Sequence, residues 1–429
     1  MHGMKNTVKT RKSAVCLALM IALAAVFVLP LGAQTLFYGQ YSGTALAAIP
    51  GGDDYDTALN PGNIGGLKDV FLSHDLVMKL SGGDEQAALE VWFSIGQQTG
   101  FSPADLGLSD EETPLYTIDL QRAGISWYMG DEIRIKLGRH SLLTGYGYGW
   151  NPMDFANPPK DPSDPSAELT GVDSLLVHLF PFGTVNLKLY GLVDSASGVD
   201  YKNLQAGGEL TMALPFAELK FTGLFDRDET GGEDDKVSAM GAGFLADIAG
   251  AGLYGEAAVF DGSRTGFPDG VSMPVKKSGA RFSGLAGVEY TFLNELTLVA
   301  EYFYNGEGFD KSERDEYLAT LENPAVLGDA AIFAAFAGLY RPGYFSRHYG
   351  LLNLLYPLYD LNLDLSGMVL FAADSGALTV LPMITWYTTG NLALEMSYSG
   401  LFSLYGEDSD EASLSPYKHA VSLAGKFSF

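Results

Sequence analysis

The chain has 429 residues, a single cysteine and a formal net charge of −26, with 52 glycines, 12% aromatic residues and a mean hydropathy of +0.09. Such acidity excludes nucleic acid and anionic surfaces as partners. The lone Cys16 falls in a leader segment, so the remaining chain has neither disulfides nor thiolate metal sites.

Lys5, Lys9, Arg11 and Lys12 form a positive n-region, an apolar run follows from Ala14 to Leu31, and the chain turns small and polar at Gly32-Ala33-Gln34. This layout predicts a secretory signal peptide over 1–33, cleaved after Ala33. The run also approaches the shortest membrane anchor. The small residues directly after it, and the lack of a second long apolar run, favour the signal. Residues 34–429 show no linker, composition shift or sequence repeat and are read as a single domain.

Along that domain the predicted strands run over 37–49, 67–80, 86–97, 115–128, 132–141, 171–180, 184–194, 203–213 and 216–227, and then over 236–247, 251–261, 280–291, 295–305, 344–356, 360–371, 377–388, 391–404 and 416–429. Tight turns such as Met129-Gly-Asp131, Leu214-Pro215 and Ile248-Ala-Gly250 alternate with long connections, 372–376 being the one short exception on the loop side. Eighteen strands whose short and long connections segregate by parity describe an all-β, transmembrane, antiparallel up-and-down β-barrel, with short periplasmic turns and long extracellular loops. A soluble β-sandwich has no reason to sort its connections this way.

Alternation assigns the faces. In 86–97, Leu89, Val91, Phe93 and Ile95 face lipid while Glu90 and Ser94 face the lumen; 391–404 and 360–371 read likewise. Strand 115–128 alternates less cleanly, and a bulge is expected near Arg122. The predicted lumen wall carries Glu90, Glu209, Glu218, Glu289, Glu301, Asp364 and Glu395 against Arg134, Lys136, Lys188, Lys220, Arg281 and Lys426. The near balance predicts cross-strand pairing and weak ion selectivity. The surplus acid lies in loops 50–66, 98–114 and 405–415, which are expected to be solvated surface. Their acids lack EF-hand spacing, and no metal or cofactor is expected. The longest loop, 306–343, is charged and helix-compatible over Lys311 to Glu322 and apolar from Ala330 to Tyr340, which predicts a lid or, more commonly, two packed turns over the barrel mouth.

The last strand, Tyr417-Lys-His-Ala-Val-Ser-Leu-Ala-Gly-Lys-Phe-Ser-Phe429, sets Tyr417, His419, Val421, Leu423, Phe427 and Phe429 on one face. A terminal strand of this kind resembles those of bacterial outer-membrane β-barrel proteins. The resemblance implies that the barrel-assembly machinery reads Phe427 and Phe429, that outer-membrane lipid surrounds the wall, and that the protein resides in the outer membrane of a diderm bacterium.

The stretch Leu137-Gly-Arg-His-Ser-Leu-Leu-Thr-Gly-Tyr-Gly-Tyr-Gly-Trp-Asn-Pro-Met-Asp-Phe-Ala-Asn-Pro-Pro-Lys-Asp-Pro162 opens the third long loop. Its Gly-aromatic and Asn-Pro-x-Asp run is similar to one in large porin-like barrels of the alginate-export kind. In general porins the third loop folds inward, so the resemblance implies that loop 142–170 narrows the pore. The glycines permit sharp bends and the prolines stiffen the remainder of the loop. Arg134, Lys136, Tyr146, Tyr148, Trp150 and Asp154 become constriction candidates, with Asp154 expected to face the Arg134–Lys136 pair and the rings free to stack on solutes. An external rim of aromatics is the alternative for the same residues. About eighteen strands leave an aqueous channel. The expected function is passive diffusion of small hydrophilic solutes, and a homo-oligomer is compatible with it. A surface adhesin or an outer-membrane enzyme is the alternative class. His74, His140, His178, His348 and His419 show no catalytic or metal-ligand spacing, which favours a non-enzyme.

Overall fold

The computed structural model describes residues 34–50, 55–101, 115–193, 204–226, 237–405 and 411–429. The leader and the acids at Asp53, Asp54, Asp105, Asp110, Glu111, Glu112, Glu407, Asp408 and Asp410 lie outside these residues.

Eighteen antiparallel strands form one sheet. They are β1 (Gln34–Pro50), β2 (Val70–Gly83), β3 (Ala87–Phe101), β4 (Leu115–Met129), β5 (Ile133–His140), β6 (Val172–Phe182), β7 (Val185–Val193), β8 (Leu204–Ala213) and β9 (Ala217–Asp226), followed by β10 (Ala239–Ile248), β11 (Ala251–Asp261), β12 (Ala280–Thr291), β13 (Thr297–Tyr304), β14 (His348–Leu358), β15 (Leu363–Ala372), β16 (Ala377–Thr389), β17 (Leu392–Ser403) and β18 (Tyr417–Ser428). Each strand pairs with its sequence neighbours, and β1 pairs with both β2 and β18, so the sheet closes on itself. At the seam Gly39 and Phe429 exchange backbone N–H···O bonds of 2.8 Å in both directions. Closure leaves no unpaired edge, the condition for a sheet in lipid.

The turns follow from local chemistry. Ala249 and Gly250 join β10 to β11 with φ of 56° and 83°, as a two-residue turn of type I′ requires. In β4 the pairing steps from Trp92–Arg122 to Phe93–Leu120, so Gln121 is the extra residue of the bulge expected near Arg122. Its carbonyl accepts the Gly171 N–H at 2.9 Å, tying the return of the long loop to the wall.

Outward positions carry exposed apolar side chains, among them Ile95, Leu189, Phe221, Phe244, Ile384 and Leu394. Tyr128 and Tyr387, at strand ends, turn inward: Tyr128 lies under Arg134, and the Tyr387 hydroxyl donates to Asp364 at 3.0 Å. His419 does face outward, and it belongs to a repeated device. Tyr41–His74, Tyr302–His348 and Tyr398–His419 each join a tyrosine hydroxyl to imidazole Nδ1 across adjacent strands, at 2.7, 2.6 and 2.8 Å.

Above the loop end, α1 (Lys311–Leu321), α2 (Pro324–Leu327) and α3 (Ala330–Ala337) form a small packed cap. Asp310 and Glu313 make a reciprocal capping box at the start of α1. Tyr317, Leu321, Val326 and Phe336 are fully buried with Phe267, Phe345 and Leu414. Leu414 belongs to α4 (Glu411–Leu414), which enters the mouth from the loop preceding β18. Glu411, expected among the solvated loop acids, is buried: it accepts from Tyr349 Oη (2.9 Å), Ser346 Oγ (3.2 Å) and the Gly343 N–H (3.3 Å).

Candidate functional site

The segment between β5 and β6, residues 141–171, lies inside the barrel. Its glycine-aromatic run crosses to β11–β14, where two wall carboxylates hold it by its backbone. Glu256 accepts the N–H groups of Tyr146, Gly147 (2.9 Å) and Met153 (3.2 Å). Glu301 accepts those of Tyr148 (2.5 Å) and Gly149 (2.8 Å), together with the Tyr254 hydroxyl (2.8 Å). Sharp turns expose successive N–H groups on one side, and a carboxylate is the acceptor that satisfies several at once. Lys160 braces the same turn from the other side, donating to the carbonyls of Gly147 (2.9 Å) and Tyr148 (3.3 Å).

Between these anchors Trp150 is fully buried, stacked on Phe303 at 5.2 Å and beside Tyr349 at 5.8 Å, while its indole N–H donates to the Gly343 carbonyl at 2.9 Å. A Cβ at Gly147 would collide with the Trp150 carbonyl and the Leu285 side chain, so glycine is the residue that lets the turn close. Further on, Met153 is buried against β10 and Phe155 meets Phe260 edge-on at 5.5 Å. The loop thus fills the β5–β14 side of the lumen with a packed apolar core.

The return arm, 158–170, crosses the lumen as a chord. Arg341 bonds the Pro159 carbonyl and Pro162 packs on Gly343 at one end; Glu168 pairs with Lys79 of β2 at 2.5 Å at the other. On the loop side of this chord lies a cavity of about 1000 Å³, and on the turn side one of about 840 Å³. Ser163, Leu381 and Ser399 line both, so the two spaces meet where the chord faces β16 and β17.

The expected constriction residues are brought into the lumen but not to this junction. The Tyr146 hydroxyl donates to Glu218 at 2.8 Å with Lys220 Nζ 4.3 Å above its ring, and Trp150 is closed off, so neither ring is free to stack on a solute. Tyr148 does line the turn-side cavity and accepts from Asn353 at 3.1 Å. Asp154 does not face Arg134 and Lys136: it is buried, and its carboxylate takes the Asn157 side-chain amide at 2.8 and 3.0 Å. Burial pushes its carboxyl upward, against the Asn157 bonds that lower it. Arg134 lies over the Tyr128 ring at 5.1 Å and Lys136 stands 3.9 Å from Glu90.

Of the other inward charges, Lys188–Glu209 and Lys426–Glu395 form the expected wall pairs, each at 2.8 Å. Arg281 lies 5.2 Å from the Phe267 ring, and Glu289 is an exposed inward carboxylate. Glu256, Lys79 and the chord acids were not singled out by the sequence. A signal for Glu256 does exist: its cross-strand partners are Gly243 and Leu285, and those of Glu301 are Gly287 and Leu351. An inward carboxylate with only glycine and leucine directly opposite it has no cross-strand donor and must find its partners farther off.

No protein-family model matches the chain, and no curated protein does. Among solved structures it is similar to OccAB3 of Acinetobacter baumannii, with a TM-score of 0.53 and 10% identity over 92% of this chain and 99% of that one. It is also similar to OccK11 (OpdR) of Pseudomonas aeruginosa, with a TM-score of 0.50 and 9% identity over 92% and 96%. What is shared is the fold, which in this chain is a closed 18-stranded antiparallel barrel.

Proposed function

We propose that this protein is an outer-membrane channel of a diderm bacterium through which small hydrophilic solutes diffuse passively, with segment 141–171 as its constriction. The observation that carries this reading is the pair of cavities meeting at Ser163, Leu381 and Ser399, one open toward each end of the barrel. A barrel of this strand number is wide enough for an aqueous path, and the inserted loop narrows that path without filling it. The short turns would face the periplasm, the cap and long loops the outside, and the apolar outer surface the membrane lipid. Phe427 and Phe429 would serve the assembly machinery. Arg134 and Lys136 contribute positive potential on the β5 side of the lumen, and the chord acids, not Asp154, form its negative counterpart.

Purified protein in planar bilayers should give stepwise conductance. Deleting residues 146–160 should raise the unit conductance severalfold, and Arg134→Ala should shift the reversal potential under a salt gradient. A preparation that folds yet never conducts overturns the channel reading.

A further inference from the structure

We propose that the bore prefers small organic cations bearing an apolar group, and that Asp161 and Asp164 set this preference. The inference rests on the channel reading above and adds the solute class.

The chord presents Asp161, Ser163, Asp164, Ser166 and Glu168 as exposed residues between the two cavities. Glu168 is neutralised by Lys79. Asp161 and Asp164 are not: Asp161 accepts the Ser163 N–H (2.8 Å) and hydroxyl (2.6 Å), Asp164 accepts the Ser166 hydroxyl (3.0 Å), and among the described residues neither has a cation at ion-pair distance. Pro162 and Pro165 each follow one of these acids in two successive turns, in which the Asp164 N–H donates to the Asp161 carbonyl and the Ala167 N–H to the Asp164 carbonyl, both at 3.1 Å, fixing the course of the arm. The wall opposite, Thr379, Leu381, Ser397 and Ser399, is uncharged. Among the described residues lining the turn-side cavity, the one further charge without a counter-ion is again acidic, Asp364, since Glu395 is paired with Lys426. Of the basic side chains of β4 and β5, Arg122 lies on the Trp92 ring at 3.7 Å, Arg134 on the Tyr128 ring at 5.1 Å, Lys136 beside Glu90, and Arg139 pairs with Asp173 at 2.7 Å. A passing ion therefore meets unneutralised negative charge where the two cavities adjoin, and low-dielectric walls focus that field.

The approach from the loop side is apolar. Phe71, Leu370, Leu401 and Tyr417 line the 1000 Å³ cavity, with one lysine, Lys68, and the buried Glu411 as its charged members besides Asp161. An apolar antechamber followed by free carboxylates matches a cation that carries a hydrocarbon or aromatic body.

The test is bilayer recording of wild type and Asp161→Asn/Asp164→Asn, with benzylammonium and benzoate as probes. Wild type should pass potassium severalfold better than chloride, and benzylammonium on the loop side should reduce the potassium current where benzoate does not. The double variant keeps its acceptor oxygens for Ser163 and Ser166, so it should retain the folded, heat-modifiable barrel while losing both effects. If wild type conducts without cation preference, or the variant keeps it, the inference fails while the channel stands. Absence of any conductance instead removes the channel reading itself.

Discussion

Gly147 gives its backbone N–H to Glu256 at 2.9 Å, joining the third loop to a strand more than a hundred residues away in sequence. Glu256 also holds Tyr146 and Met153, so Glu256→Ala strands three donors in a closed site. Each buried donor left unpaired costs about 1–3 kcal/mol. Glu256→Ala and Gly147→Val are therefore expected to release the loop while the barrel stays intact. Protease cleavage within 146–160 and a higher, noisier conductance would report the release; an uncleaved loop with unchanged conductance would show that Glu301 and Trp150 suffice.

Glu411 links the last loop to the cap. Burial lifts its carboxyl to about 7, partly offset by the Tyr349, Gly343 and Ser346 donors and by Arg314 nearby. The unfolded chain would release that proton near pH ~4.3. The folded state thus binds more protons across this window, so the stabilisation is complete below it and is lost as pH rises through 7. Hydrogen exchange of 411–416, corrected for intrinsic rates, should be slower at pH 5 than at pH 8, and Glu411→Gln should flatten the difference. A pH-independent wild type would contradict this.

Orientation is open to chemical labelling. Met273, exposed in the 262–279 loop, and Leu293, exposed in the turn between β12 and β13, sit at opposite ends of the barrel. In a Cys16→Ala background, Met273→Cys should react with an impermeant maleimide on intact cells and Leu293→Cys should not. The reverse pattern would invert the topology.

At the seam, Phe429 contributes both backbone bonds to Gly39, and its ring lies 6.2 Å from Phe37 and 6.1 Å from Phe427. Deleting Phe429 is expected to leave periplasmic, protease-sensitive chain. Recovery of heat-modifiable barrel at wild-type levels would show that assembly does not need it.

All eighteen strands were legible in the sequence because a period of two and glycine- or proline-marked turns are local signals. Even the bulge near Arg122 showed as broken alternation. The site was legible only in part. Gly145, Gly147 and Gly149 announced a sharply bent segment, but which of its residues meet water depends on where the far wall supplies acceptors. Glu256 and Glu301 pull the aromatic run into the β11–β14 wall, and that turns Trp150 and Asp154 inward and leaves plain-looking Asp161-Pro-Ser-Asp164 at the junction. Glu411 was misread for a similar reason: a loop acid looks solvated until the cap that buries it is folded.

The off-centre course of the loop gives the two halves of the inner wall different evolutionary freedom. Inside β5–β14, where Trp150, Phe303 and Met153 interlock, a substitution must satisfy the rules of a solvent-free protein core. Inside β15–β18 and β1–β3, side chains such as Thr379, Ser397 and Gln40 line open cavities, and exchanging them would leave that packed core undisturbed. On the channel reading, such a barrel would acquire new permeants by drift along a single hemicylinder, its rigidity secured by the other.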